Sequence, residues 1–315
     1  MLDRIKPAVS TALVFAAAAC NPEQSNAPSA GADGVATPAF VTSATAPGVP
    51  VGDFHLPVSE FGNPRYTGSL QALTRSVATS RLDAAKSRAS RVIVSLVGGR
   101  QLYQNADGSF NLAKWKARID LFRGYDFAKY VSAGTVIGHY LVDEAACAKC
   151  LGGKTLTYSQ IEEMSRYSKS IWPTLPTGVR APPSLLGSTP FSSLDFGWAQ
   201  WEGPLWKPSY GLTPEQFRDR DTSRARALGL GLVFGLNYIN GGDRSSGIPG
   251  TVSGKYEMSS SEVRRVGKVL AAASYGCAML SWKYNLAFVA RSGMKTALDE
   301  VAAAGRNRSR VSCRQ

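Results

Sequence analysis

From residue 51 onward, short runs of strand-forming residues alternate with stretches whose apolar positions recur every three or four residues. The strand-like runs are VGDFHLPV (51–58), RVIVSLVGG (91–99), TVIGHYLVDE (135–144), TGVRAPP (177–183), SLDFGWAQWE (193–202), LGLVFGLNYINGG (230–242) and CAMLSWKYN (277–285). Helical spacing fills the segments between them. It predicts helices within 69–89, within 111–131 with Leu112, Trp115, Ile119 and Phe122 on one face, and over 157–172, ended by Pro173. Further helices are expected over 213–229, with Thr213 as N-cap and Pro214 at the first position, over 259–276 and over 293–305.

Most of the strand-like runs are too apolar to have a solvent-facing side. Strands buried on both faces and alternating with helices imply a parallel sheet covered by helices. The glycine-rich GxGxxG turn of a dinucleotide-binding sheet is absent after the first strand. Polar and aromatic residues instead collect at many strand ends: Gly98 and Gly99, Asp143 and Glu144, Arg180, Gln200 to Glu202, Asn237 to Asn240, and Trp282 to Asn285. A ring of chemistry contributed by successive strand ends is how a (β/α)8 barrel builds a site. The expected fold is therefore an α/β (β/α)8 TIM-type barrel over 51–305. Its eighth strand lies in PAFVTSA (38–44), lies in the link before residue 191, or is missing.

The first fifty residues read differently. A basic start, MLDRIK, precedes an apolar run too short to span a bilayer comfortably, which is the pattern of a signal peptide over 1–19. The small residues before Cys20 resemble the lipobox of bacterial lipoproteins. That resemblance implies acylation of Cys20, a membrane association through the lipid alone, and, with Asn21 following, an outer-membrane lipoprotein facing the periplasm or cell surface. Ala17 stands where leucine is commoner, so cleavage without lipidation and secretion stays open. Residues 20–50 are rich in Ala, Pro, Ser, Gly and Thr and read as a tether.

An oxidising compartment makes disulfides the first reading of Cys147, Cys150, Cys277 and Cys313. A bridge within CAKC, pairing of that motif with Cys277 or Cys313, and a redox or metal role are the alternatives. A single CxxC has two of the four ligands zinc needs and the chain has two histidines, so no metal and no cofactor are expected.

The net charge of +13 is spread along the chain, and its densest cluster, Arg306, Arg308, Arg310 and Arg314, reads as a solvated basic tail over 306–315. No nucleic-acid-binding motif accompanies it. A monomer is expected.

GHYLVDEA places two carboxylates just past a buried strand. Together with LDFGWAQWE, GLNYINGG and LSWKYN, it resembles the strand ends of (β/α)8 glycoside hydrolases. The resemblance covers roughly residues 51–300 as architecture, and each motif is individually weak. It implies that Glu144 is the proton donor, with Asp143 and Ala145 replacing the Asn and Pro that flank the acid in that family. It also implies a nucleophile at a late strand end, where this chain has Asn237 and Tyr238. Glu202 and Asp195 are then the candidates for a second carboxylate, with Asp243 behind them. About 5 Å between two such groups gives retention and roughly 6.5–9.5 Å gives inversion.

Sugars are held by aromatic faces against ring C–H groups and by amide or charged groups on hydroxyls. Trp198, Trp201, Trp206, Tyr238 and Trp282 are candidate faces, and Arg180, Gln200, Asn237 and Lys283 candidate hydrogen-bonders, all equally readable as core or surface residues. His55 and His139 fall inside strands, where a histidine is more often a packed residue than a catalyst. Three functions stay open: hydrolysis of a polysaccharide or glycoconjugate by carboxylate acid/base catalysis, glycan binding by a barrel without hydrolytic chemistry, or another enzyme chemistry on the same fold, since a barrel does not specify its reaction.

Overall fold

The computed structural model describes residues 48–314. The proposed leader, Cys20, PAFVTSA and most of the tether lie outside the described residues. Eight strands follow in chain order: β1 (Val51–Phe54), β2 (Gly68–Ala72), β3 (Arg91–Ser95), β4 (Val136–Val142), β5 (Thr177–Val179), β6 (Phe196–Trp201), β7 (Gly231–Leu236) and β8 (Gly276–Ser281). Each pairs in parallel with the next. β8 returns to β1 through Gly52 opposite Leu280 and Asp53 opposite Ser281, closing the barrel.

The helices are α1 (Ala78–Ser87), α2 (Leu112–Asp120), α3 (Ala128–Ser132), α4 (Tyr158–Ile171), α5 (Pro214–Ala227), α6 (Ser260–Ala271), α7 (Leu286–Val289) and α8 (Met294–Arg306). Their starts are written locally. Thr157 with Gln160, Thr213 with Gln216, and Ser259 with Glu262 each form a reciprocal capping box that satisfies otherwise orphaned backbone N–H groups.

The eighth strand is β2, inside a segment whose spacing predicted only helix. Leu70, Leu73 and Val77 mimic a helical stripe, but Leu70 points into the barrel while Ser69 and Gln71 are buried on the other side of the strand. Gln71 donates to the Leu56 carbonyl at 2.9 Å, which supplies the polar partner its burial requires. The helix expected over 111–131 is also two pieces, α2 and α3.

Phe54, Leu70, Ile93, Tyr140, Phe196, Trp198, Val233 and Leu280 fill the barrel, while a larger apolar layer joins the strands' outer faces to the helices. Phe196 needs its neighbours to be glycine: a Cβ at Gly178 or Gly138 would stand 2.1 or 2.7 Å from its ring.

The C-terminal segment is not a solvated tail. Val311 packs on the barrel interior, Cys313 is bonded to Cys277 of β8, and Arg308 donates to the carbonyls of Gly276 (3.0 Å) and Ser274 (2.6 Å). The basic side chains neutralise exposed carbonyls at the base of the barrel, which is why charge there does not mean solvation. Gly48 to Pro50, assigned by composition to the tether, are buried at the same end, with Val49 donating to the Gly305 carbonyl at 3.1 Å. Closing a loop with a sequence separation of 36 is worth about 4 kcal/mol in chain entropy. Cys313→Ser is therefore expected to lower stability by about 2–4 kcal/mol, read as a drop in the chemical-denaturation midpoint under oxidising conditions.

Asp53 is a second point of tension. It is 1% exposed on the outer side of β1, and burial raises its pKa to about 8 against the lowering effect of the Tyr238 hydroxyl. The folded protein thus keeps a proton there that the unfolded chain, near the ordinary carboxyl value of 3.8, has lost. Stability from this group is full below the unfolded pKa and falls as pH rises toward the folded one, by about 1.4 kcal/mol per pH unit. Asp53→Asn should flatten that decline, raising the melting temperature at pH 8 more than at pH 5.

Candidate functional site at the C-terminal mouth of the barrel

The strand β4 runs its buried residues straight into Asp143 and Glu144. Glu144 takes a left-handed backbone angle (φ 51°), rare for a residue with a side chain. Both carboxylates meet the same two guanidinium groups. Arg180, one residue past β5, contacts Asp143 and Glu144 at 2.6 Å each, and Arg100, from the loop after β3, contacts them at 3.1 and 2.7 Å. The Tyr140 hydroxyl adds a 2.6 Å hydrogen bond to Asp143. Burial alone would raise the Asp143 pKa, but Arg180, Tyr140 and Arg100 outweigh it and hold the group below the usual carboxylate range. Burial likewise opposes the charge on Arg180, and Asp143, Tyr140, Glu144 and Glu202 overcome it, raising its pKa.

The network continues around the mouth. Arg180 donates to Gln200 at 3.1 Å, Gln200 donates to Glu202 at 3.0 Å, and the other Glu202 oxygen accepts from Lys255 at 2.9 Å and from Asn237 at 3.4 Å. Ends of β4, β5, β6 and β7 are thereby joined by one chain of charged and amide groups. Above it lies a cavity of about 530 Å³ lined by Glu144, Arg180, Trp198, Gln200, Glu202 and Trp206, among others.

The structure brings Glu144, Glu202, Arg180, Gln200 and Trp198 to this cavity, and Asn237 stands beside it. Trp198 is fully buried as its floor, edge-on to Phe54 at 4.7 Å. Asp143 sits beneath, tied to the arginines. Trp282 packs edge-on against Phe54 at 5.3 Å with the exposed Lys283 Nζ 5.6 Å from its ring centre; neither lines the cavity.

Three expected site residues lie elsewhere. Trp201 points outward against Phe217 of α5. Tyr238 also points outward, stacked on Phe288 of α7. Asp195 is at the opposite end of the barrel, where it accepts from the Thr177 backbone (2.8 Å) and pairs with Lys169 (2.8 Å). For Trp201 and Tyr238 the physical reason is period two, since in β6 and just past β7 alternate residues face the helices; Asp195 precedes β6 and so falls at the strand's N-terminal end. Asp243 accepts from the Ser245 backbone at the outer loop.

His139 is wholly buried against α4, its Nδ1 2.8 Å from the Ser168 hydroxyl, and burial depresses its pKa to about 3. His55 lies at the end of β1, 6.2 Å ring to ring from Trp282.

Cys147 and Cys150 are bonded to each other, as are Cys277 and Cys313. The Cys150 sulfur lies 2.9 Å from Glu144 Oε2. Having no proton in a disulfide, it is a close contact and not a donor. Among the described residues Glu144, Cys147 and Cys150 form the one cluster of three potential metal ligands, but bonded sulfurs are not the thiolates a metal needs.

Arg100, Lys149, Lys207 and Lys255 were not foreseen. Arg100 directly follows the Gly98-Gly99 strand end and was findable by position; Lys255 lies far along the loop after β7 and carries no local signal.

A parallel eight-stranded closed barrel with its polar network at the strands' C-terminal ends defines a (β/α)8 barrel protein. In particular, the chain is similar to the β-glucanase SdGluc5_26A of Saccharophagus degradans, with TM-score 0.55, 10% identity, and coverage of 83% of this chain and 89% of that one. It is also similar to the catalytic domain of the major endoglucanase of Xanthomonas campestris pv. campestris (TM-score 0.50, 11% identity, 82% and 95% covered). An endocellulase of Pyrococcus horikoshii, in complex with cellotetraose, matches at TM-score 0.51 and 11% identity over 82% and 92%. At such identities the likeness is one of fold. Comparison with sequence-family models and with curated proteins finds no match.

Removing Arg180 leaves Asp143 and Glu144 to share the Arg100 guanidinium alone. Arg180→Met is expected to destabilise the protein by about 3 kcal/mol, the low end for breaking a buried pair, because both acids are still 33% exposed. Urea unfolding with and without the substitution measures it.

Proposed function

We propose that the protein acts on a polysaccharide or glycoconjugate as a glycoside hydrolase-like barrel, with Glu144 as proton donor and Glu202 as its partner carboxylate. The observation carrying this reading is that these two side chains, from the ends of β4 and β6, line one cavity together with Trp198 and Trp206. A proton donor and an opposed carboxylate are the minimum for cleaving a glycosidic bond. Trp206, half-buried in the loop after β6, supplies an aromatic face for a sugar ring.

Asn237 beside Glu202 stands where the resemblance expects a nucleophile, and an amide cannot attack an anomeric carbon as a carboxylate does. Glu202, 3.4 Å from that amide, takes the role of second carboxylate. Both Glu144 oxygens are engaged by guanidinium groups, so one of those contacts opens before Glu144 meets a leaving oxygen.

The same two facts favour a second reading, a non-catalytic carbohydrate-binding barrel. We also propose that the amino-terminal leader and Cys20 anchor the protein in a bacterial cell envelope by lipid, which would place the barrel among extracellular glycans.

The full-length protein and its Glu144→Gln and Glu202→Gln forms, assayed on a panel of polysaccharides and aryl glycosides, separate the readings. Hydrolysis lost by about a hundredfold or more in both variants, with melting temperature retained, is the expected result. Glycan binding without turnover, undiminished in Glu144→Gln, supports the binding barrel instead.

A further inference from the structure

The mouth cavity holds more positive charge than its acids neutralise. Its charged lining is Lys149, Arg180, Lys207 and Lys255 against Glu144 and Glu202. Arg180 is spent on Asp143 and Glu144, and Lys255 on Glu202. Arg100 and Asp143, just behind the lining, cancel each other. What remains is Lys149 and Lys207. Both are exposed, and among the described residues neither has a carboxylate within 4.0 Å.

Neither lysine sits on an unanchored segment. Lys149 lies between the bonded Cys147 and Cys150, in a turn further fixed by Gln104 donating to the Cys150 carbonyl at 2.7 Å. Lys207 lies in the loop after β6, which Ser209 ties down by donating to the Gly203 carbonyl (2.7 Å) while accepting from the Glu202 backbone (3.1 Å). Arg220 holds the next residue's carbonyl at 2.8 Å. The two lysines therefore line the same cavity from loops that follow different strands, β4 and β6. The Trp206 ring of the second loop, with Lys255 Nζ 5.1 Å from its centre, and Gln200 of β6 line the same cavity.

We propose that this cavity takes an acidic glycan, a chain carrying carboxylate or sulfate groups, whose anions are bound by Lys149 and Lys207. The inference rests on the carbohydrate reading above and narrows it. An anionic chain supplies the counter-charge the cavity lacks, and its sugar rings supply the apolar face that Trp206 accepts. A neutral chain would leave both lysines unanswered while still requiring their partial desolvation on binding.

The test is calorimetric binding of the full-length protein to oligogalacturonate, a heparin-derived oligosaccharide, and cello- and manno-oligosaccharides of matched length, at low and high salt, with inorganic sulfate and citrate alongside. Acidic oligosaccharides are expected to bind about tenfold or more tightly than neutral ones at low salt, with the gap closing as salt rises. Lys149→Gln and Lys207→Gln should each weaken acidic binding by up to about fivefold, the ceiling for an exposed ion pair, without moving the melting temperature. Lys295→Gln, exposed on α8, should leave it unchanged. The galacturonate and heparin arms distinguish carboxylate from sulfate as the preferred anion.

Neutral chains bound as tightly as acidic ones, or acidic binding indifferent to both lysine substitutions, would overturn the inference and leave the carbohydrate reading standing. Sulfate or citrate bound as tightly as the acidic chains, with no contribution from the sugar, would overturn the carbohydrate reading as well. Binding of none of these ligands overturns both.

Discussion

The guanidinium of Arg180 is the group on which the barrel's mouth depends. It is 10% exposed and lies against two adjacent carboxylates, one of which also accepts a tyrosine hydroxyl. Two acids at consecutive positions repel each other, and the left-handed turn at Glu144 adds a backbone cost. Arg180 and Arg100 together meet both acids, converting a repulsive pair into a four-charge cluster whose geometry is fixed by β4, β5 and the loop after β3. Through Gln200 that cluster also sets the orientation of Glu202. A side chain that appears in no catalytic role thus governs where both candidate catalytic carboxylates stand.

The opposite end of the barrel is closed by different means. There the Cys277–Cys313 bond, Val311 and the arginine-carbonyl contacts seal the base with covalent and apolar packing, and Asp195 serves that end. The division follows from chemistry. The base needs to exclude water and gains from a dry plug, whereas the mouth must stay open to a ligand and so holds its groups by paired charges, which tolerate partial exposure.

Much of this was legible in the sequence, and the failures have identifiable causes. The runs in β3, β4, β6, β7 and β8 are apolar enough to declare buried parallel strands, and Thr213 with Pro214 marked the start of α5. The strand β2 was hidden because GSLQA lacks β-branched residues and its outward-facing side chains are small or polar but buried. Glu144 and Arg180 were readable because they sit one or two residues past a strand. Trp201 and Tyr238 misled because proximity to a strand end does not specify the face: both fall on the outward parity, against helices. The cations were the least legible, since Lys149, Lys207 and Lys255 acquire their shared cavity only through tertiary placement of separate loops.

That placement changes the meaning of the chain's positive charge. Spread over a sequence, an excess of +13 says little about what a protein binds. Much of the C-terminal share is taken up by backbone carbonyls at the base, to which Arg308 and Arg314 donate. At the mouth the balance is reversed: the arginines are consumed by acids, and the unspent charge rests on two lysines whose loops are pinned by a disulfide and by a serine bridge. A compact, hydrated ammonium on an anchored loop is suited to meet an anion that arrives and leaves, while the planar arginines are suited to hold fixed carboxylates in place. The division of labour between the two cation types is what leaves the rigid part of the site electrically complete and its open part electrically unsatisfied.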